Sequence, residues 1–305
     1  MVTVLLATYN GEKYIAEQLD SILEQTYKNI KIVIRDDGST DNTLNIINRY
    51  LEIYPETIFI CPTTYATGSA AENFFKLLEL NCDDYIMLCD QDDVWLPDKV
   101  EITLKAMQNA EGENSPVLVH TDLFVANEKL DIISNSFAKF QGLSPNRNNL
   151  NNMLMQNNIT GCTVMINKPL KELLFTYPKN CAMHDWWLGI IAAAFGKIVY
   201  VNTPTMYYRQ HGKNQVGAKN AASPSFLINR IKGINKSKEI YNKIFYHAEF
   251  LLKNYKEMLN FEQVKLLKAV SGLKNMSRCQ KIKTINRFKL HKNSIIRNIV
   301  QYFII

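Results

Sequence analysis

The stretch YIMLCDQDDVWLPDKV, residues 85–100, places three aspartates directly after an apolar run. The first five residues of this stretch have the length and side-chain types of a buried strand. Asp90, Asp92 and Asp93 follow where that strand is expected to end. Such aspartates either cap the helix that Pro97 is expected to open, or form a ligand site. The rest of the sequence has to distinguish these two interpretations.

Strand and helix patterns alternate in the first hundred residues. The predicted strands are residues 2–7, 30–34, 57–60 and 85–89, and the predicted helices are residues 14–24, 42–50 and 71–78. This alternation predicts an α/β fold with a Rossmann-like, mostly parallel central sheet flanked by helices. The later asparagine-rich residues 141–158 are expected to form a loop, and the residues after about 221 a helical C-terminal extension.

Polar loops follow three of the predicted strands. Their sequences are TYNG at residues 8–11, RDDGS at residues 35–39 and DQDD at residues 90–93. Loops at the carboxyl ends of parallel strands converge on one edge of the sheet, where ligands of such sheets bind. We therefore expect the three loops to share one ligand-binding edge.

The residue types in these loops suit a nucleotide sugar. Asp36 or Asp37 could accept a hydrogen bond from a pyrimidine N–H, and Asp90 could accept one from a ribose hydroxyl. The diphosphate is anionic, so nearby aspartates repel it unless a cation lies between them. The carboxylates of Asp90 and Asp92 are the hard oxygen ligands that Mg²⁺ or Mn²⁺ prefers. A metal there would stabilise the departing diphosphate.

Six segments, in this order, resemble the family 2 inverting glycosyltransferases of the GT-A fold. They are LLATYNGEKYIAEQLDSILEQTY, IVIRDDGSTDNT, MLCDQDDVWLPDKVE, ITGCTVMINKPL, MHDWWLG and YYRQHGKNQVG. The DQDDVW and HDWW segments are similar to those of rhamnosyltransferases of bacterial surface polysaccharide synthesis. The resemblance covers residues 1–217, which indicates a catalytic domain at residues 1–220 and a basic helical extension at residues 221–305.

The resemblance implies a role for several residues. It implies a nucleotide site formed by Thr8, Asn10, Asp36 or Asp37, and Asp90, a metal site formed by Asp92 and His211, and a catalytic base, Asp185. We assign the metal to Asp92 and expect Asp93 to be a helix cap. Without the resemblance, Asp185 would be interpreted as the N-cap of a helix that starts at Trp186, and His211 as an ordinary core or surface histidine.

Five further residues are expected near the donor or the acceptor: Thr160, Gly161, His184, Trp186 and Arg209. Thr160 and Gly161 are predicted to line the donor sugar pocket, although a tight turn explains the glycine equally well. Trp186 is predicted to face the acceptor while Trp187 lies in the core. Arg209 either binds phosphate oxygens or pairs with an acidic neighbour.

Charge and composition limit the partners and the compartment. Residues 226–305 carry 17 Lys or Arg and 4 Asp or Glu, whereas residues 1–225 carry 18 and 25. The basic C-terminal part is interpreted either as a solvated helical face or as a surface for anionic membrane lipid; no nucleic-acid partner is expected. The six scattered cysteines and the absence of a long apolar segment predict a cytoplasmic protein, peripheral at the inner face of the plasma membrane if the basic part binds lipid.

These observations predict an inverting, metal-dependent hexosyltransferase with Mn²⁺ or Mg²⁺ as cofactor. The donor is expected to be a dTDP- or UDP-sugar, with L-rhamnose as the leading candidate, and the acceptor a glycan or a polyprenyl-diphosphate-linked glycan. Two alternatives are a catalytically silent module that binds a nucleotide sugar or glycan, and a sugar nucleotidyltransferase. The latter would need a glycine- and arginine-rich phosphate loop after the first strand, which TYNGEKY does not provide.

Overall fold

Every residue from Val2 to Thr8 is buried in the computed structural model, as expected for a strand covered on both faces. The structure describes residues 1–63, 65–81, 83–179, 181–212, 217–218, 220–221 and 234–304. The strands found there are β1 (Val2–Thr8), β2 (Ile30–Asp36), β3 (Ile58–Ile60), β4 (Tyr85–Cys89), β5 (Val94–Trp95), β6 (Val117–Ala126), β7 (Ile132–Ser134), β8 (Val164–Asn167) and β9 (Lys197–Arg209). They form one sheet in the order β3-β2-β1-β4-β8-β6-β9-β5, with β7 paired to β6.

The predicted α/β fold class is confirmed, and the structure adds a mixed half to the sheet. The strands β3, β2, β1 and β4 are parallel, as the alternating sequence pattern predicted. Beyond β4 the sheet changes direction, because β8 is antiparallel to both β4 and β6. Strand β9 then runs parallel to β6 and antiparallel to β5.

The helices have the following bounds. They are α1 (Ile15–Leu23), α2 (Thr43–Ile53), α3 (Ala70–Glu79), α4 (Lys99–Ala110), α5 (Phe137–Gln141), α6 (Leu150–Met155), α7 (Lys168–Glu172), α8 (His184–Phe195), α9 (Ile234–Asn254), α10 (Phe261–Gly272), α11 (Arg278–Arg287) and α12 (Ile295–Ile304). Helix α1 buries Ile15, Leu19 and Ile22, which recur at the spacing of one helix face. No helix in the described residues is both long enough and apolar enough to cross a membrane.

The described chain divides into two compact units. The first is made from Met1–Phe137, Ile159–Phe175 and Gly196–Ala218, and the second from Ala138–Asn158, Thr176–Phe195 and Lys219–Ile305. This division differs from the predicted boundary at residue 220, because α6 and α8 pack with each other and α6 also contacts α9. The C-terminal helices therefore share a unit with two earlier segments of the chain.

The second unit is helical. Helix α8 is buried over most of its length, and the indole of Trp187 meets the rings of Phe250 and Tyr255 edge-on at 5.5 and 6.2 Å. The prediction of a loop over residues 141–158 is wrong in part, because these residues include helix α6. Asn149 caps α6 by accepting a hydrogen bond from the Asn152 N–H at 3.2 Å.

Strand register aligns the carboxyl ends that the sequence predicted to converge. Thr8 lies opposite Asp36 in the pairing of β1 with β2, and Leu6 lies opposite Cys89 in the pairing of β1 with β4. The strand order reverses between β1 and β4, so a crevice is expected at the ends of these two strands.

Gly196 permits the close approach that starts strand β9. A Cβ atom at residue 196 would lie 2.0 Å from the Pro116 carbonyl oxygen, whereas one at Gly112 would have no neighbour within 4 Å. We expect Gly196→Ala to lower the free energy of unfolding by about 1–3 kcal/mol through overpacking. The matched Gly112→Ala should change it by less than about 0.5 kcal/mol. Urea denaturation measures both, and equal effects would contradict the role assigned to Gly196.

Candidate active site

The loops after β1 and β4 are joined through the side chain of Gln91. Its Oε1 accepts hydrogen bonds from the Thr8 hydroxyl at 2.6 Å and the Tyr9 N–H at 2.8 Å, and its Nε2 donates to the Tyr9 carbonyl at 2.9 Å. A Cβ atom at Gly11 would lie 2.3 Å from the same Oε1. The glycine therefore lets the β1 loop pass close beside Gln91.

Asn10 joins the β1 loop to the β2 loop. Its backbone N–H donates to the Ser39 hydroxyl at 2.8 Å, and its side-chain carbonyl accepts from the Thr40 N–H at 2.8 Å. Its φ of +48° lies in the left-handed region, which asparagine adopts more readily than most residues. The three polar loops that the sequence placed at one edge are thus in direct contact.

The carboxylates of Asp36 and Asp37 are both buried and both bonded within the protein. Asp36 accepts from the Gly38 N–H at 2.9 Å and the Ser39 N–H at 2.8 Å on Oδ2, and from the Ser39 hydroxyl at 2.5 Å on Oδ1. These contacts close the turn after β2. One acceptor position of Oδ1 is left, because a carboxylate oxygen accepts about two hydrogen bonds.

Asp37 supports the fold more extensively than Asp36. Its Oδ1 pairs with the Arg35 guanidinium at 2.9 Å and accepts from the Thr67 N–H at 2.7 Å. Its Oδ2 accepts from the Thr67 hydroxyl at 2.9 Å and the Gly68 N–H at 2.8 Å. All the usual acceptor positions of this carboxylate are occupied, so its chemistry in the structure is that of a buried ion pair.

Asp92 and His211 meet although they lie far apart in the sequence. The Asp92 Oδ2 is 2.7 Å from the His211 Nε2, and both side chains are largely buried. An octahedral ion with ligands at about 2.1 Å holds neighbouring ligand atoms about 3 Å apart. The two atoms therefore already have nearly the separation that a shared divalent ion requires, and the donor set of one carboxylate and one imidazole suits Mn²⁺ better than Mg²⁺.

The side chain of Arg209 is engaged by the protein around this pair. It donates to the Asp92 carbonyl at 3.0 Å and to the Glu128 carbonyl at 2.7 Å, and it pairs with Glu17. Its guanidinium lies 4.9 Å from the centre of the Tyr14 ring. Of the two contacts that the sequence allowed for Arg209, the structure records the acidic neighbour; contact with phosphate stays a prediction.

Tyr14 packs between Arg209 and His211. Its ring centre is 4.8 Å from that of the His211 imidazole, and its hydroxyl donates to Glu128 at 2.8 Å. Burial, followed by the hydrogen bond to Glu128, raises the pKa of the Tyr14 hydroxyl, which therefore stays a donor at neutral pH. Tyr14 is not among the predicted site residues, and its only signal in the sequence is its place just after the β1 loop.

Asp90, Asp93 and Cys162 form a second cluster of possible ligand side chains in the first unit. Asp90, Asp93 and Cys162 each have a ligand atom within 4.8 Å of the others. Asp93 is fully buried, and burial together with the charges of Asp92 and Asp90 raises its pKa well above the usual value. A raised pKa favours the neutral form of Asp93, which reduces the crowding of negative charge among these carboxyl groups.

The expectation that Asp93 caps a helix is wrong. Helix α4 begins at Lys99 with Asp98 at its N-cap position, and no side chain accepts a hydrogen bond there. Asp93 instead accepts from the Arg209 N–H at 3.2 Å, which joins the β4 loop to β9. The cap interpretation failed because the strand β5 lies between the aspartates and the helix.

Thr160 and Gly161 lie at a turn next to this acidic group. The Thr160 carbonyl accepts from the Thr163 N–H at 3.0 Å and the Thr163 hydroxyl at 2.7 Å, which closes a short 3₁₀ turn over Gly161–Thr163. That turn contains Cys162, whose Sγ lies within 4.8 Å of a carboxylate oxygen of Asp93. The tight-turn explanation of Gly161 is therefore observed, and contact with a donor sugar stays a prediction.

The second unit holds the HDWW residues at the start of α8. The helix begins at His184, so Asp185 lies in its first turn and is not its N-cap. Asp185 is 7% exposed and accepts from the Asn157 amide at 3.0 Å. Burial lowers the pKa of His184 to about 3, so its imidazole is neutral at physiological pH.

The two tryptophans of this segment are both buried. Trp187 is 0% exposed and belongs to the core of the second unit. Trp186 is 8% exposed, and its indole N–H donates to the Met153 carbonyl at 2.6 Å. The structure thus gives Trp186 a partner inside its own unit, while its contact with an acceptor stays a prediction.

The sequence pattern matches a known family. Residues 3–174, more than half of the chain, match the model of the Glycosyl transferase family 2. The dTDP-rhamnosyl transferase RfbG of Shigella flexneri is 36% identical over 231 residues, which are 70% of this chain and 74% of that protein. The Escherichia coli protein WfaP, a UDP-Glc:α-D-GlcNAc-diphosphoundecaprenol β-1,3-glucosyltransferase, is 31% identical over 212 residues, 69% of this chain and 78% of that protein.

Solved structures share the fold at low sequence identity. S. aureus TarS 1–349 in complex with UDP-GlcNAc has a TM-score of 0.59 at 15% identity, and the match covers 94% of this chain and 80% of that chain. The mannosyltransferase PcManGT from Pyrobaculum calidifontis, in complex with GDP-Man and Mn²⁺, has a TM-score of 0.53 at 17% identity. The match covers 93% of this chain and 73% of that chain. These likenesses show the fold alone. The match to the family model and the 36% identity with RfbG show that this chain belongs to glycosyltransferase family 2.

Proposed function

We propose that this glycosyltransferase moves a sugar from a nucleotide-diphosphate donor to a hydroxyl acceptor with inversion and with the help of a divalent cation. The observation that carries the proposal is the contact between Asp92 and His211 at 2.7 Å, at the edge where β1, β2 and β4 end. A carboxylate and an imidazole brought together there supply two of the oxygen and nitrogen ligands that a divalent ion would need. The remaining positions suit water and diphosphate oxygens.

The nucleotide would lie across the loops of the first unit. Asp36 is better suited than Asp37 to accept a base N–H, because Asp36 Oδ1 retains an acceptor position while the Asp37 oxygens are filled by Arg35, Thr67 and Gly68. Thr8 and Asn10 would shape the base pocket through the hydrogen bonds that they make with the neighbouring loops. Asp90 would accept from a ribose hydroxyl.

The metal would be held by Asp92 and His211. A bound divalent ion would supply charge that stabilises the departing diphosphate. Arg209 would hold the β4 loop in place at this site. Its side chain donates to the Asp92 carbonyl, and its backbone N–H donates to Asp93. Mn²⁺ is the ion we favour, because an imidazole ligand suits it better than Mg²⁺.

Asp185 would be the catalytic base. In an inverting transfer it removes the proton of the acceptor hydroxyl, whose oxygen attacks the anomeric carbon from the face opposite the diphosphate. The new glycosidic C–O bond forms as the bond to the diphosphate oxygen breaks, and the electron pair leaves with the nucleotide diphosphate. The proton ends on the Asp185 carboxyl.

The relatives favour a donor and an acceptor class. RfbG is named for dTDP-rhamnosyl transfer and WfaP for glucosyl transfer from UDP-Glc to a lipid-diphosphate-linked GlcNAc. We therefore propose a dTDP- or UDP-linked sugar as the donor, with dTDP-L-rhamnose first, and a glycan of bacterial polysaccharide synthesis carried on a polyprenyl diphosphate as the acceptor. Trp186, His184, Thr160 and Gly161 remain the residues proposed near the sugars.

A lipid-linked acceptor gives the basic C-terminal part a role at an anionic membrane surface. Residues 264–305 contain ten Lys or Arg and no Asp or Glu. Lys283 and Arg287 are exposed and lie one helical turn apart on α11. Basic residues near an anionic lipid surface contribute about 1 kcal/mol each, so this segment would hold the enzyme where its acceptor lies.

Calorimetric titration of dTDP- and UDP-sugars, with and without Mn²⁺, tests the donor site. We expect one donor to bind at least about tenfold more tightly with Mn²⁺, because the ion offsets repulsion between the diphosphate and the aspartates. Asp92→Ala should abolish the Mn²⁺ dependence. The matched Asp98→Ala, an exposed aspartate at the start of α4 with no side-chain cap bond, should retain it. Metal-independent binding of every donor would reject the proposed metal site.

Asp185→Asn tests the base without changing the shape of the side chain. Turnover should fall by about 10²–10⁴-fold, because an amide cannot take the acceptor proton. Donor affinity in the presence of Mn²⁺ should stay within about threefold of the wild-type value, since the nucleotide contacts are proposed in the first unit. Turnover near the wild-type rate in this variant would eliminate Asp185 as the base.

Vesicle sedimentation tests the basic surface. Charge reversal at Lys283 and Arg287 should weaken binding to phosphatidylglycerol vesicles by at least about 30-fold at low salt, the equivalent of about 2 kcal/mol. Charge reversal at the exposed Lys105 and Lys168 of the first unit makes the same change in net charge and should have a much smaller effect. Equal losses in both double variants would show that net charge alone acts, and no binding by the wild type would exclude the membrane proposal.

A further inference from the structure

The carboxylate of Asp185 has a specific hydrogen-bond donor in its own unit. The Asn157 amide Nδ2 lies 3.0 Å from Asp185 Oδ1. Asp185 is 7% exposed, and a carboxylate that is buried this far needs hydrogen-bond donors. A side-chain amide provides such a donor and cannot itself take the proton, because it is not basic at physiological pH.

The segment that carries Asn157 is tied to the helix that carries Asp185. Asn157 follows helix α6 by two residues. The Met153 carbonyl of α6 accepts from the Trp186 indole N–H at 2.6 Å, one residue beyond Asp185. Two hydrogen bonds therefore join the segment of Asn157 to the first turn of α8.

The other side of the α8 N-terminus is held by His247 of helix α9. Its Nε2 accepts from the Ala182 N–H at 3.3 Å, and its ring meets that of Trp186 edge-on at 5.5 Å. Burial lowers the pKa of His247 to about 4, so the ring is neutral and its Nε2 can accept. The first turn of α8 is therefore held from both α6 and α9.

We infer that Asn157 is the positioning residue of the catalytic base, which it holds through the hydrogen bond to Asp185 Oδ1. The inference rests on the proposed function of Asp185. The Asn157 amide holds the carboxylate in one orientation, and a carboxylate offers enough acceptor positions to take a proton while it accepts this bond. Residues that orient a reacting group in this way commonly affect the rate by about 10–100-fold.

A double-mutant cycle separates positioning from a purely structural role. The measurement is the turnover of radiolabelled donor, at saturating donor and acceptor, by the wild type, Asn157→Ala, Asp185→Asn and the double variant. Asn157→Ala should lower turnover by about 10–100-fold with the donor KM within about threefold. In the Asp185→Asn background the same substitution should change turnover by less than about twofold, because residues that act as a unit are not additive.

Asn151 provides a matched control in the same segment. Its side chain is partly exposed like that of Asn157, and its amide donates to the Phe288 carbonyl at 3.2 Å. Asn151→Ala should leave turnover within about twofold. The isosteric Asn157→Asp guards against a folding defect of the alanine variant. It keeps the shape, replaces the amide donor by a like charge or a shared proton, and should lower turnover at least as much as Asn157→Ala. Thermal unfolding of each variant checks the fold.

Each outcome decides one question. If Asn157→Ala has the same effect with and without the Asp185 carboxylate, Asn157 is structural and the inference is overturned. If Asp185→Asn abolishes turnover while Asn157→Ala and Asn157→Asp leave it unchanged, the inference is again overturned and the proposed base stands. If Asp185→Asn retains turnover, Asp185 is not the base, and the inference about Asn157 is overturned with it.

Discussion

The parallel pairing of β1 with β2 on one side and β4 on the other decides where the polar loops of the first unit end. Thr8 stands opposite Asp36, and β4 ends level with the last residues of β1. The side chains of Gln91 and Asn10 then join the three loops by hydrogen bonds. A shift of one residue in either pairing would turn the strand side chains to the other face of the sheet and would move the loops out of this alignment.

The fold accommodates several aspartates in the loops after β2 and β4 because their carboxyl groups have different environments. Asp37 is paired with Arg35, and Asp92 lies beside His211. Asp93 is buried with a raised pKa, and the Arg209 backbone N–H donates to it. The fully buried Lys99 lies 4.9 Å from the centre of the Trp95 ring, and burial lowers the pKa of its ammonium group to about 8. A cation at Asp92 and His211 would complete this arrangement by drawing in the anionic diphosphate.

The C-terminal helices have a structural role in the second unit. Helix α9 contributes His247 to the start of α8, and Gln263 of α10 donates to the Ala194 carbonyl near the end of α8 at 2.6 Å. The helices that the sequence presented as an extension thus support the segment that contains Asp185. A basic surface and a supporting role are compatible, because the apolar faces of these helices pack inward while Lys283 and Arg287 are exposed.

The sequence by itself determined the parallel half of the sheet, the loops at its edge and the family, because these depend on local periodicity and on short motifs of fixed order. It placed Asp92 and His211 in one site only through the resemblance, since 119 residues separate them and their contact is made by β5 and β9 pairing. The tertiary structure alone decided that Asp93 is buried and not a cap, that Asp37 is an ion-pair partner, and that Asn157 reaches Asp185. The physical reason is that burial and hydrogen-bond partners are set by segments distant in sequence, and no local pattern records which segments will meet.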